Sequence, residues 1–175
     1  ENGDGEDDTE TMGTGDDQRT YIAYDSNVKV VPALKYRRKH EKKGGRGKDA
    51  GYQSGHTNAA YLASIAYAYA VPERFSEMFT RASQMGENRI LAGMHSPLDV
   101  MGGRFHSLAI AAGAFSDENN DETKTVAYDK AQEYFGSLAE AEEMTLYEYA
   151  HTNDTSDWAD HDANKALYRE RMTYG

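Results

Sequence analysis

The chain has 175 residues, a formal net charge of −11, 38% hydrophobic residues and no cysteine, which is the size of one domain with a lean core. The acidic balance argues against general nucleic-acid binding. Without cysteine there are no disulfides and no thiolate metal sites, and the longest apolar run, 59–71, falls short of the roughly 18 residues of a membrane span.

Taken in order, residues 1–18 hold eight Asp/Glu and four Gly and read as an acidic, disordered tail. The string Asn2-Gly-Asp-Gly-Glu-Asp-Asp8 lacks the ligand spacing and terminal Glu of a calcium loop. A short extended segment is expected around Thr20–Ala23. Pro32 then opens a helix through a basic stretch that breaks at Gly44-Gly45. Nine of the 19 Lys+Arg fall between Lys29 and Lys48, with Glu41 the only acid among them.

The remainder reads as helical. Residues 56–71 are apolar nearly all round, which predicts a buried central helix. Pro72 starts a second helix with Phe75, Met78, Phe79 and Ala82 on one face, ending near Gly86. A short helix over 87–92 carries Arg89. Ser96 opens another, through Val100, Met101, Leu108 and Ala112, whose Gly102-Gly103 permits close helix contact. Residues 116–125 read as a polar loop. Capping boxes are expected at Ser137-x-x-Glu140 and Thr145-x-x-Glu148, and a last helix spans 163–172.

The chemistry concentrates in two places, Ser54-Gly55-His56 and the run Arg89-x5-His95-x3-Asp99. Ser96-Pro97-Leu98-Asp99 has the order of a helix start, with Ser at the cap, Pro first and Asp third. That puts the Asp99 carboxylate beside the His95 imidazole. A carboxylate on one ring nitrogen fixes the tautomer and leaves the other nitrogen as nucleophile or base. Gly55, at the start of the next helix, lets backbone N–H groups approach an anion. Arg89 adds a positive fork suited to phosphate oxygens.

These residues resemble the second and third signature motifs of the type 2 phosphatidic acid phosphatase superfamily, which includes bacterial class A acid phosphatases and vanadium-dependent haloperoxidases. The similarity runs over about 29–115. The resemblance implies a soluble, secreted or periplasmic member that hydrolyses phosphomonoesters. His95 would form a phosphohistidine, His56 would be the general acid, and Asp99 would orient His95. Arg89, Ser54 and the Gly55 backbone would bind the phosphoryl oxygens. The family usually has Pro before Ser-Gly-His and Ser before the Arg; Gln53 and Asn88 stand there in this chain.

The family's first motif, K-x6-R-P, is absent as a string. Lys35-x6-Lys42 keeps the spacing, Lys39-x6-Arg46 keeps both residue types, and Arg37-Arg38 stands at a suitable distance from Ser54. Lys35 is the favoured phosphate-binding lysine, with Arg46 the candidate of the alternative register.

The expected architecture is mainly α, a helical bundle with the site at helix starts, comprising an acidic tail over 1–18 and a phosphatase-like domain over 19–175. Superfamily members usually carry further helices before the first motif, so a larger precursor, or a partner copy supplying the missing part, is expected. A small phosphorylated molecule is the expected partner. No metal or other cofactor is expected, except vanadate under a haloperoxidase reading. A third reading is a non-catalytic structural or interaction protein on a degenerate phosphatase scaffold. His106, His151 and His161 read as structural and His40 as solvent-exposed, and the 13 tyrosines read as packing residues. Asn153-Asp154-Thr155 is a glycosylation sequon, meaningful only in a glycosylating host.

Overall fold

A computed structural model describes residues 8–12, 14–23, 28–35, 52–152 and 160–174. Strand β1 (Asp8–Met12) pairs antiparallel with β2 (Arg19–Ala23), Thr11 opposite Thr20, through a turn that includes Gly15–Asp17. Part of the acidic N-terminal stretch thus takes a hairpin form. The described helices are α1 (Gly55–Ala70), α2 (Phe75–Leu91), α3 (Pro97–Ser116), α4 (Asp121–Ala141), α5 (Leu146–His151) and α6 (His161–Thr173). The fold is mainly α. Helix α1 lies at the centre, packed on α2 and α3 and touching α4, while α6 rests on α2 and α5 on α4.

Several boundaries differ from the sequence reading. Helix α2 runs unbroken through Gly86, so Arg89 sits in its last turn rather than in a separate short helix. Gly86 is buried there, with Val100 Cγ1 only 2.9 Å from where a Cβ would stand. The glycine serves close packing inside the helix, not its end. The polar stretch after Ser116 shrinks to a turn at Glu118–Asn120, because Asp121 and Glu122 supply the acidic first turn of α4. Ser137 lies inside α4, where its Oγ donates to Tyr134 O at 2.7 Å; it caps nothing. The Thr145–Glu148 capping box does form. Pro32 opens the turn Pro32–Leu34, Lys35 after it is helical, and the rest of the expected helix through the basic stretch lies outside the described residues.

The core is small and polar. Its buried apolar members are Ala60, Tyr61, Ala68, Ala82, Val100, Ala111 and Ala139, alongside buried Ser54, Thr57, Glu77, Thr80, Ser83, Arg104 and Ser107. Buried hydroxyls are satisfied within their own helices: Thr80 donates to Ser76 O, Ser83 to Thr80 O and Ser107 to Arg104 O, at 2.7–2.8 Å. Helix α1 is therefore not buried all round, and Tyr67 and Tyr69 on it are exposed. Small side chains bring the helix backbones together where large apolar ones would hold them apart.

Charged groups staple the periphery. Arg104, 4% exposed, donates to Arg171 O and Met172 O at the end of α6, satisfying carbonyls that a helix terminus leaves open. Arg171 in turn pairs with Glu87 at 3.4 Å and donates to Ser83 Oγ at 3.2 Å. Burial, and after it the Tyr168 phenol, push the ionisation of Tyr61 far above the ordinary tyrosine range. Burial, then Glu87, push Tyr174 up to about 12. On α5, His151 Nε2 meets buried Glu77 Oε1 at 3.3 Å, while its Nδ1 donates to Tyr147 O at 2.7 Å.

Two glycines of α3 separate crowding from helix propensity. A Cβ on Gly103 would stand 2.6 Å from Ser54 O, whereas one on Gly113 would meet nothing within 4 Å. Gly103→Ala is expected to lower stability by about 1–3 kcal/mol and Gly113→Ala to raise it by about 0.5–1 kcal/mol. Urea unfolding of the two variants checks the pair, and equal shifts would contradict the close approach of α3 to the start of α1.

Candidate active site

The start of α1 is built by Ser54, which is fully buried. Its Oγ accepts from Thr57 N at 3.3 Å and from Thr57 Oγ1 at 3.0 Å, making it the N-cap. Gly55 and His56 follow in the first turn and are exposed. The Ser54 N–H leaves the helix and donates to Asp99 O at 3.0 Å, while Asn58 N donates to Ser54 O at 3.0 Å. The Gly55 N–H has no hydrogen-bond partner among the described residues, and the space over its Cα is open. A backbone donor on an exposed residue at the positive end of a helix suits an anion.

The start of α3 is a complete capping box. Ser96 Oγ accepts from Asp99 N at 3.2 Å, and Asp99 Oδ2 accepts from Ser96 N at 2.9 Å. That same carboxylate oxygen lies 3.5 Å from His95 Nδ1, the length of an ion pair. The nitrogen is buried and makes no hydrogen bond among the described residues. The helix-start chemistry thus fixes the carboxylate, and the carboxylate faces one nitrogen of the ring.

Between α2 and α3 the chain makes a tight turn. Met94 N and His95 N both donate to Arg89 O, at 3.0 and 3.3 Å. Gly93 takes φ +69°, and Lys29 O occupies the space 2.6 Å from where its Cβ would be. Any other residue there would face both the left-handed backbone and a backbone collision. Beside it, Val31 N donates to Ala92 O at 3.1 Å. Main-chain contacts therefore bring the segment 28–31, the end of α2, the turn 92–96 and the start of α1 to one place.

Within that gathering, His95 and Asp99 are side by side, Arg89 adjoins His95 through the backbone, and Ser54 adjoins Asp99. Lys35 is exposed, one residue past the turn Pro32–Leu34, which follows the Val31 contact. Arg46, Lys39, Arg37 and Arg38 lie outside the described residues. The hydroxyl of Ser54 accepts both cap bonds from Thr57, which leaves its own O–H uncommitted by the cap.

Residues that the motif reading missed surround this centre. Thr57 fills the cap; a buried Thr three residues past a Ser is a recognisable capping partner. Gln53, which stands in place of Pro, contacts His106 Nδ1 through its Nε2, and Asn58 Nδ2 lies 3.1 Å from the same nitrogen. His106 is seven residues past Asp99, two turns along the same face of α3. Tyr52 lays its ring against Gly102, where a Cβ would come within 2.6 Å of it.

An apolar cavity of about 600 Å³ lies elsewhere: Tyr67, Val71, Met78, Phe135 and Met144 line it at the far end of α1. At 1.5 Å per residue, Tyr67 is about 20 Å along the helix from Ser54. Among the described residues there is no cluster of three or more His, Cys, Asp and Glu side chains that could hold a metal ion. No described helix is long and apolar enough to cross a membrane.

Residues 12–122, more than half of the chain and including every segment of this gathering, match the PAP2 superfamily. The chain belongs to that superfamily. It is also similar to the non-specific acid phosphatase of Salmonella typhi, 38% identical over 58 residues, which is 33% of this chain and 23% of that protein. The non-specific acid phosphatase of Salmonella typhimurium is 36% identical over 58 residues with the same shares. The match thus spans less than a quarter of the length of these curated relatives. No solved structure matches the chain.

Because Ser54 is both cap and anchor, Ser54→Ala should cost about 1–2 kcal/mol in unfolding free energy, with the stranded Thr57 donors adding to it. A change below about 0.5 kcal/mol in urea unfolding would mean that the start of α1 is held by something other than its cap.

Proposed function

We propose that the chain hydrolyses phosphomonoesters through a phosphohistidine on His95. The observation that carries this reading is the Asp99 oxygen fixed by the capping box 3.5 Å from His95 Nδ1. Once Nδ1–H turns to donate to that carboxylate, Nε2 holds the lone pair that attacks phosphorus. The nitrogen–phosphorus bond forms as the ester oxygen–phosphorus bond breaks, and His56 gives its proton to the departing oxygen. Water then attacks phosphorus, its proton passes to His56, and the nitrogen–phosphorus bond breaks to release inorganic phosphate and neutral His95. Membership of the PAP2 superfamily and similarity to two bacterial acid phosphatases support the same reading.

Phosphoryl transfer demands in-line placement and positive charge around three oxygens. Arg89 and the Gly55 N–H supply donors, and Lys35 supplies a cation from the segment that reaches the turn at Ala92. The basic stretch 29–48 draws an anion toward an otherwise acidic chain. A location outside the cytoplasm, periplasmic or extracellular, accords with the family resemblance.

The test is hydrolysis of a chromogenic phosphate monoester across pH 4–8, with and without orthovanadate. Turnover inhibited by vanadate is expected. Halide oxidation appearing when vanadate, halide and hydrogen peroxide are supplied together would replace the phosphatase by a peroxidase, and neither activity would leave a binding scaffold. His95→Ala should reduce kcat by several orders of magnitude. Asp99→Asn should lower it by roughly 10- to 10⁴-fold, by analogy with amidation of a triad aspartate, with little loss of stability, because Asn can still cap Ser96 N. Near-normal turnover in either variant would overturn its assigned role.

Lys35→Ala should reduce kcat/KM by about 10²–10³-fold. A larger effect at Lys39 or Arg46 would shift the phosphate-binding register to Lys39-x6-Arg46. Uniformly small effects would reduce the segment to steering.

A further inference from the structure

We propose that His106 is a positioning residue for the turn Ser54-Gly55-His56, acting through Gln53 and Asn58. The inference rests on the phosphatase reading for its catalytic consequence, but the tether itself is a matter of geometry. Gln53 directly precedes the N-cap of α1 and Asn58 lies in its first turn, so the two amides bracket the segment that carries His56. Both reach one atom, His106 Nδ1, whose single lone pair accepts from either amide in turn.

The turn is consequently fastened to α3 at two levels. The lower is the main-chain bond from Ser54 N to Asp99 O. The upper is His106, two helical turns further along α3. Packing of Ser54 and Thr57 on Gly103 adds to the lower attachment, and a second hydrogen-bonded attachment further along the same face restrains rotation of the first turn about it. Gly103, between the two levels, lets the backbones approach closely enough for both to form. His95 and Asp99 belong to the α3 side and His56 to the α1 side, so this double attachment sets the spacing between nucleophile and acid.

The position of Gln53 gives the tether a reason. Proline, which stands there in the family pattern, fixes φ and limits the turn by itself. Glutamine has no such restriction, and its side chain must find a partner to hold the same turn. His106 is that partner. It is exposed, so its substitution leaves the buried core intact.

The experiment compares His106→Ala, His106→Phe and His106→Gln for hydrolysis of the chromogenic monoester and for amide hydrogen exchange over 54–58. Phenylalanine keeps the ring without nitrogen; glutamine keeps a hydrogen-bonding group. Expected are a fall in kcat of about 10- to 100-fold for the Ala and Phe variants with a much smaller change in KM, because misplacing a catalytic group acts on the transition state. The Gln variant should recover most of kcat. Exchange at the Ser54, Thr57 and Asn58 amides should accelerate in the Ala and Phe variants. Gln53→Ala combined with His106→Ala should be no worse than the more impaired single variant, since the two act as a unit.

Wild-type kcat and exchange in His106→Phe would show that the ring merely packs and would overturn the tether. Faster exchange with unchanged kcat would overturn the positioning role. Absence of turnover in the wild-type chain would overturn the phosphatase reading instead. The exchange data alone then decide the tether, and unchanged protection in His106→Ala sinks it.

Discussion

One hydrogen bond, from the Ser54 N–H to the Asp99 carbonyl, joins the two helix starts on which the site depends. Helix α1 begins with backbone donors that its own turns cannot satisfy, and the first turn of α3 offers a carbonyl with a second lone pair. The bond forms because Gly103 has no side chain to keep Ser54 away. It places the segment carrying His56 against the segment carrying His95 and Asp99 without requiring any large apolar contact. A lean hydrophobic composition is sufficient for such a design, since the helices meet through glycine, alanine, serine and threonine.

In the proposed mechanism the Asp99 carboxylate combines two roles that are separable in principle. It closes the capping box with Ser96 N, which immobilises it, and it faces His95 Nδ1, which uses that immobility. A carboxylate held only by the imidazole would lose side-chain entropy on orienting it; one already bound to a helix start does not lose it again. The arrangement explains why Ser and Pro fill the gap between His95 and Asp99: they make the helix start that holds the acid.

Much of this was legible in the sequence, and the reasons are local. Ser96-Pro97-Leu98-Asp99 and Thr145-x-x-Glu148 declare helix starts through residue types with few other uses, and both form as read. Gly102-Gly103 announced a close helix contact and makes one. Gly86 misled because a glycine can end a helix or let two helices touch, and one strand of sequence does not distinguish these. Ser137-x-x-Glu140 failed as a cap because the same pattern occurs inside a helix, where the hydroxyl turns back to a carbonyl. The apolar look of 56–71 overstated burial, since the core takes only Thr57, Ala60, Tyr61, Ser64 and Ala68 and leaves two tyrosines outside. The pairing of His106 with Gln53 and Asn58 was invisible because it joins positions about fifty residues apart through side chains that follow no motif.

Arg104 begins five residues after Asp99 on the same helix, yet its guanidinium closes the end of α6. The two partners are separated by 67 residues or more of chain, a long-range contact that forms slowly in folding. During synthesis, α3 leaves the ribosome well before α6, and over that interval the guanidinium lacks its α6 carbonyls and has only water and Tyr61 of α1 to turn to. The buried charge makes the docking of α6 discriminating: a helix end that presents open carbonyls covers Arg104 without stranding it, and an apolar one would not.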